Sequence, residues 1–444
     1  MKSFFYFCSL YNIYYMFSMK NIKIQINKLG AIQNSEIELH PLIILSGESG
    51  LGKSYVAFLL HYIYKLIVEE RFNRFFKEKG WDYDSFAPDK RTEGTLSVKS
   101  EELNTWINKD AKEYLQNVIG NNNLDVDIII NLPFDEDEFK FSYKTENFVL
   151  SEKEESFLYF ELNGLGLRIP ESARNLGVQP WSSLLSIVLQ MSLFGDDSLE
   201  QTFMMAPGRG ALLNIGSNLQ QSIKTSSGMY EEFLHDWQFV KDMAPKKGTD
   251  SELQQRLREI NGGGITIENQ NLVFRMNSDC DMPIAAAASS VKELAPMAML
   301  LDKYPVEGLS VLFEEPEAHL HPSKQIAIAD FIVQAVNKGA HMQITTHSDY
   351  FIRRINDRIN LGRIKNINES IYNQLLEKTQ LEGFVLDYSI VGAYLLKKNE
   401  EGVVEVVKQE LENGIPYDTF HNVLKNDFGI SMDISRTLNQ IIHD

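Results

Sequence analysis

"LIILSGESGLGKSYVAFLLHYIYKLIV", Leu42 to Val68, decides the architecture. Its first four residues are apolar without a break, which reads as a strand covered on both faces, and the residues after Ser54 place apolar side chains at helical spacing. Between the two, "GESGLGKS", Gly47 to Ser54, matches the eight-residue phosphate-loop pattern in the strand-then-helix context that the pattern requires. Gly47, Gly50 and Gly52 permit the dihedrals that turn successive backbone N–H groups inward, and with Glu48, Ser49 and Leu51 they form a cradle ahead of a helix starting near Lys53. Lys53 is placed to reach β and γ phosphates, and the Ser54 hydroxyl to ligate Mg²⁺. A Gly-rich turn with a purely structural role has no need of Lys-Ser at its end.

Upstream, "KNIKIQINKLGAIQNSEIELHP" alternates through Ile22, Ile24 and Ile26, turns at Gly30 and alternates again to Leu39, so an antiparallel pair of strands precedes the loop. Far downstream, "VLFEEPEAHLHP", Val311 to Pro322, ends an apolar run in two adjacent carboxylates. Each charge raises the cost of ionising the other, and a divalent cation expected beside them, with a polyphosphate, offsets the repulsion between the two carboxylates. Adjacent residues at the carboxyl end of a parallel strand project differently, so Glu314 is assigned to the metal and Glu315 to the attacking water. An acidic, solvated turn is the plain alternative, and the phosphate loop elsewhere in the chain weighs against it.

Taken together, these strands, "LSGESGLGKS", "LFEEPEAHLHP" and the later "ITTHSDYF" resemble, in order and content, the ATP-binding-cassette ATPase head of the SMC, RecF and OLD-like (overcoming-lysogenization-defect) proteins. The resemblance spans roughly Met19 to Ile67 and Trp181 to Ile390. It implies an α/β P-loop fold with an N-terminal antiparallel β subdomain, and a dimer of heads closing around two ATP·Mg²⁺. It also implies that Glu315, Lys53 and His347 are catalytic, with His347 contacting the γ phosphate, and that Ala318 to Pro322 lies in a subunit-contacting turn. A signature segment read by the opposite subunit's nucleotide is expected at "AASSVKELAPMAMLL", from Ala287, making Ser290 a nucleotide contact. Val291 stands where the family usually has glycine. Independently, Ser290 to Glu293 has capping-box spacing, which predicts a helix start there. "MMAPGRGALL" resembles a Pro-x-Arg segment of OLD-like ATPases and offers Arg209 to phosphate or to the neighbouring subunit, with an exposed turn arginine as the alternative. Gln190 and Gln201 are Q-loop candidates by position alone.

The 444 residues and 43% apolar content provide for a substantial core, and the formal charge of −18 argues against a surface that grips nucleic-acid backbone over its whole face. A local basic run, "RFNRFFKEK" at Arg71 to Lys79, remains as a DNA contact or, more simply, a solvated helix face. Cys8 and Cys280 support neither a disulfide framework nor a zinc site, which fits a cytoplasmic protein. "SFFYFCSLYNIYYMFSM", Ser3 to Met19, is short and interrupted for a membrane span, so no stable membrane insertion is expected and residues 1–18 read as an extension. The ATPase domain is expected over 19–71 and 181–398, an inserted α+β lobe over 72–180 and a mostly helical tail over 399–444.

Weaker signals read as structural: His319 and His321 as a turn, Asp279 to Asp281 as a hairpin turn, and Arg436 with His443 as a chance match to a ribonuclease pattern. Nothing in the chain forms a nuclease constellation, so an effector, if present, is expected on a separate chain, in anti-phage defence or DNA maintenance. A nucleotide-gated scaffold with little turnover and a RecF-like DNA-repair clamp are the competing readings.

Overall fold

The structure, a computed structural model, describes residues 19–69, 71–81, 93–150, 153–170, 179–195, 199–213, 228–268, 271–277, 280–412, 414–416 and 427–438. The extension 1–18, Asp279, much of the Asn413 to Phe420 turn and His443 lie outside these. In chain order come β1 (Lys23–Leu29), β2 (Ile32–Glu38), β3 (Leu42–Gly47), α1 (Lys53–Val68), α2 (Phe72–Glu78), β4 (Glu93–Lys99), α3 (Ser100–Ile119), β5 (Val126–Asn131), β6 (Glu138–Leu150), β7 (Lys153–Leu162), β8 (Leu165–Pro170) and α4 (Pro180–Phe194). The chain continues through β9 (Gln201–Met205), the short α5 (Arg209–Leu212), α6 (Gly228–Asp242), α7 (Ser251–Asn261), β10 (Gly263–Glu268), β11 (Asn271–Met276), β12 (Asp281–Pro283), α8 (Ser289–Lys303), β13 (Leu309–Glu314) and α9 (Pro322–Asn337). It closes with β14 (His341–Thr345), α10 (Asp349–Ile367), α11 (Glu369–Thr379), β15 (Val391–Lys398) and β16 (Val404–Lys408), and helix α12 covers 427–438.

A nine-stranded sheet in the order β5-β1-β2-β16-β15-β3-β14-β13-β9 organises the molecule. From β15 to β9 every neighbour is parallel, and the other wing is largely antiparallel. The unbroken apolar run of β3 is required because each face of the sheet carries its own core. Ile43 and Leu45 pack in the cluster that contains Val56 and Leu60 of α1, whereas Leu42 and Ile44 pack with Ile328 and Ile332 of α9 and Phe351 of α10. The parallel strands all end on one edge, and that edge carries the loop after β3 and the carboxylates after β13.

Two expectations about organisation are corrected. The segment 72–180 is not a separate insertion throughout, because β5 adds to the main sheet beside β1. Its Val126, Ile128 and Ile130 face inward, and the outer backbone of Ile130 is satisfied by Asn108 of α3, which donates to its carbonyl at 3.0 Å and accepts from its amide at 2.7 Å. The remaining strands of the segment form a four-stranded sheet, β4-β6-β7-β8, packed on α4 through Trp181, whose ring lies 4.9 Å from Phe160 and 5.8 Å from Phe141. The tail expected to be helical from 399 begins instead with β16. Tyr394 of β15 clasps Glu38 of β2, donating to its carbonyl at 3.1 Å and accepting from its amide at 2.8 Å, and Lys408 of β16 pairs with the Glu38 carboxylate. Those contacts draw the pair into the sheet.

The run at Arg71 to Lys79 is an amphipathic helix whose charged face, Arg74, Lys77, Glu78 and Lys79, is solvated. Phe72, Phe75 and Phe76 are buried, Arg71 and Arg74 both pair with buried Asp110, and Lys79 pairs with Glu102. The expected hairpin "GGGITIENQNLVFRM" is β10 with β11, and the chain reverses again between Met276 and Cys280 into β12.

Candidate nucleotide site

The loop after β3 is shaped by two glycine requirements. Gly47 adopts φ +132°, and a Cβ there would lie 2.3 Å from the Leu396 carbonyl oxygen of β15. Gly52, at φ +94°, is the residue from which α1 starts, so Lys53 opens the helix as expected. Glu48, Ser49 and Gly50 are exposed along the loop, while Leu51 anchors it in the core. The Lys53 ammonium curls back to donate to the carbonyls of Gly47 at 3.0 Å and Glu48 at 2.8 Å. Burial pushes its pKa down, and Glu315, Glu314 and Glu317 pull it partly back.

Across the cleft, β13 delivers its carboxylates in three different ways. Glu314 is buried. One of its oxygens accepts from the Ser54 hydroxyl, and the other is buried without a hydrogen-bond partner. Burial pushes its pKa up to about 7, the charge of Glu315 adds to that, and the Ser54 bond opposes it. Glu315 follows with φ +45°, a left-handed conformation rare for a residue with a side chain, stabilised by its amide donating to the Thr345 carbonyl at 3.0 Å. That turn of the backbone leaves its carboxylate partly exposed and puts one oxygen 3.9 Å from His347 Nε2.

Glu317, assigned no role in the sequence analysis above, turns inward: one carboxylate oxygen accepts from the Thr346 hydroxyl and the His347 amide, both at 2.7 Å. It thereby ties the turn after β13 to the segment that carries His347. No signal in "EEPEAHLHP" singles it out from its neighbours. Burial, then the charge of Lys53, lowers the pKa of His347, against the pull of Glu315. Its imidazole is therefore biased toward the neutral form.

A cleft of 470 Å³ joins these groups. Gly50 to Ser54 form its floor, Glu314, Glu315, Thr345 and His347 one wall, and Gly30 to Ile32, Tyr55 and Leu124 a largely apolar far side. The expected loop residues, both glutamates and His347 are thus brought together. A paired hydroxyl and carboxylate with one carboxylate oxygen left buried and unpartnered is a hard-oxygen donor set that fits Mg²⁺. Among the described residues no group of three or more His, Cys, Asp or Glu side chains is placed to hold a metal ion, in this cleft or outside it. His319 is exposed with φ +62°, and the ring of His321 caps α9 by accepting from the Ser323 amide at 3.3 Å, so neither reads as a ligand.

Other candidates fall elsewhere. Ser290 sits half-buried in the first turn of α8 and does not line this cleft. The capping-box reading is corrected: Ala288 occupies the cap position without a side-chain bond, and the Glu293 carboxylate instead accepts from the Gly210 amide at 3.2 Å. Arg209 is fully buried, not an exposed turn arginine or a group free to meet phosphate. Gln201 starts β9 at the end of the sheet opposite the cleft, and Gln190 lies on α4; neither lines the site.

A parallel sheet with a phosphate loop after one strand and paired glutamates after another, flanked by an antiparallel wing, is an α/β fold of the P-loop type. Residues 190–352, which hold Arg209, Ser290, both glutamates and His347, match the AAA ATPase domain family model. No curated protein matches the chain. Among solved structures it is similar to an SMC head bound to the C-winged-helix domain of ScpA, at 13% identity over 89% of this chain and 98% of that one, with a TM-score of 0.38. It is likewise similar to the SMC head domain from Thermotoga maritima (10% identity, 88% and 100% covered, TM-score 0.33) and to an Smc head with an extended coiled coil bound to the C-terminal domain of ScpA derived from Pyrococcus furiosus (12%, 92% and 99%, 0.37). No helix among the described residues is long and apolar enough to cross a membrane.

Proposed function

We propose that this chain binds ATP with Mg²⁺ between Gly47 to Ser54 and the end of β13, hydrolyses it to ADP and phosphate, and works as a nucleotide-gated dimer of heads. One observation carries the reading: the Ser54 hydroxyl is hydrogen-bonded to the carboxylate of Glu314, 260 residues away in sequence, which is the pair a magnesium nucleotide site needs side by side. Loop amides and the start of α1 receive the phosphates. Lys53 exchanges the two carbonyls it now holds for phosphate oxygens. Ser54 and Glu314 hold Mg²⁺, which when bound offsets negative charge on the phosphate oxygens.

Glu315 is the base for the attacking water. Its partial exposure lets water reach it, and the left-handed backbone aims it away from Glu314. His347, biased toward the neutral imidazole, offers an N–H to the γ phosphate. Ser290, standing outside this chain's own cleft at the start of a helix, is suited to meet the nucleotide of a partner head, with the turn Ala318 to Pro322 at the contact. Anti-phage defence or DNA maintenance with a separate effector chain remains the biological setting we favour. The pairing of Arg71 and Arg74 with Asp110 and of Lys79 with Glu102 favours this reading over a RecF-like clamp.

Phosphate release and sedimentation test this together. Wild-type protein should turn over ATP, and Glu315→Gln should lose turnover by about a hundredfold or more while sedimenting as a dimer only with ATP·Mg²⁺. Identical sedimentation of the variant with and without ATP would count against nucleotide gating.

A further inference from the structure

Arg209 has no solvent exposure, stands between three elements and serves none of the roles above. Its Nε donates to the carbonyl of Glu293 on α8 at 2.7 Å. Its Nη1 donates to the carbonyl of Ala206, just past β9, at 3.0 Å and to that of Glu314 at 2.8 Å. The guanidinium lies over the Phe313 ring, 4.7 Å from its centroid. The Glu293 carboxylate supplies the countercharge at 3.6 Å and also takes the Gly210 amide. A Cβ at Gly210 would lie 2.9 Å from that carboxylate, so α5 and α8 meet with no room for a side chain.

A buried cation is costly unless its donors are used; Nη2 is buried without a hydrogen-bond partner, and Nε and Nη1 are spent on main-chain carbonyls, including those of two segments that matter to the site. One is the helix presenting Ser290, the other the strand end presenting Glu314 and Glu315. Shifting α8 against β13 by an ångström breaks one of these bonds or carries the other segment along. Lysine cannot replace the planar fork that reaches all three carbonyls.

We propose that Arg209, balanced by Glu293, is a positioning residue coupling helix α8 to the paired glutamates, so that nucleotide at Glu314 is felt at Ser290 and contact at Ser290 is felt at Glu314. This rests on the nucleotide site proposed above, and the coupling runs equally in both directions. Hydrogen exchange with and without ATP·Mg²⁺, on full-length protein dilute enough to sediment as a monomer, separates the two claims. In the wild type, amides of residues 48–54 and of 291–295 should both slow, by about fivefold or more. In Arg209→Lys the loop should still slow and the helix should not. Should that variant fail to fold, Arg209→Met combined with Glu293→Gln, which removes the guanidinium fork together with both buried charges, carries the same comparison. An unprotected loop in the wild type overturns the nucleotide site itself. A protected loop with an unresponsive wild-type helix, or a helix that responds equally in the variant, overturns the coupling and leaves the site standing.

Discussion

Glu314 and Glu315 are neighbours in sequence yet occupy unlike surroundings, and the difference is a backbone one. Glu314 ends a strand and stays buried against Ser54, while Glu315 turns into the left-handed region and faces the cleft. That the two would diverge was legible in the sequence because adjacent residues at a strand end project differently. The inward turn of Glu317 was not, since nothing in "EEPEAHLHP" says which carboxylate finds Thr346 and the His347 amide. Nor was the burial of Arg209, because the oxygens that receive it belong to segments far away in the chain. At this scale Gly47 is the least replaceable position. Gly47→Ala combines an unfavourable φ with contact on Leu396, so it should lower stability by about 2–4 kcal/mol and abolish nucleotide binding, as read by denaturant unfolding and by fluorescent-nucleotide titration. Wild-type stability with normal binding would contradict the loop geometry.

Among the elements, strand and helix identity followed from periodicity for β1 to β3, α1, β13 and β14, whereas membership of the right sheet did not follow for β5 and β16. "VDIIIN" and "VEVVK" are β-branched runs that carry no mark of which strand they join; Asn108 backs the outer edge of β5, and Lys408 with Tyr394 ties β16 and β15 to Glu38 of β2, across long separations. Asn108→Ala leaves the outer backbone of Ile130 without its partner and should cost about 1–3 kcal/mol, with faster amide exchange at Ile130. The β16 contact has a pH signature. Hydrogen bonds from Lys408, and then from Lys23 and Asn21, hold the Glu38 pKa at about 2 against partial burial. A depressed carboxyl adds stability above its unfolded value near 4.5 and loses it as pH falls toward 2. Lys408→Ala should therefore cost about 0.5–1 kcal/mol at neutral pH and flatten the loss of stability between pH 4.5 and 2. An unchanged acid transition would show that Lys408 does not hold Glu38.

For the whole molecule, the sheet converts two short motifs at opposite ends of the sequence into one cleft, with two separate cores stiffening it from either face. The negative overall charge and the pairing of Arg71, Arg74 and Lys79 with Asp110 and Glu102 fit the proposed nucleotide site better than a surface that grips nucleic-acid backbone. Everything proposed about gating, Ser290 and Arg209 depends on that occupancy. Calorimetric titration of ATP·Mg²⁺ into the purified full-length chain tests it most directly. Saturable binding near one nucleotide per chain, lost in Lys53→Ala while that variant stays folded, is the predicted result. A folded wild type that gives no binding heat, or a Lys53→Ala variant that binds as tightly as the wild type, would contradict it.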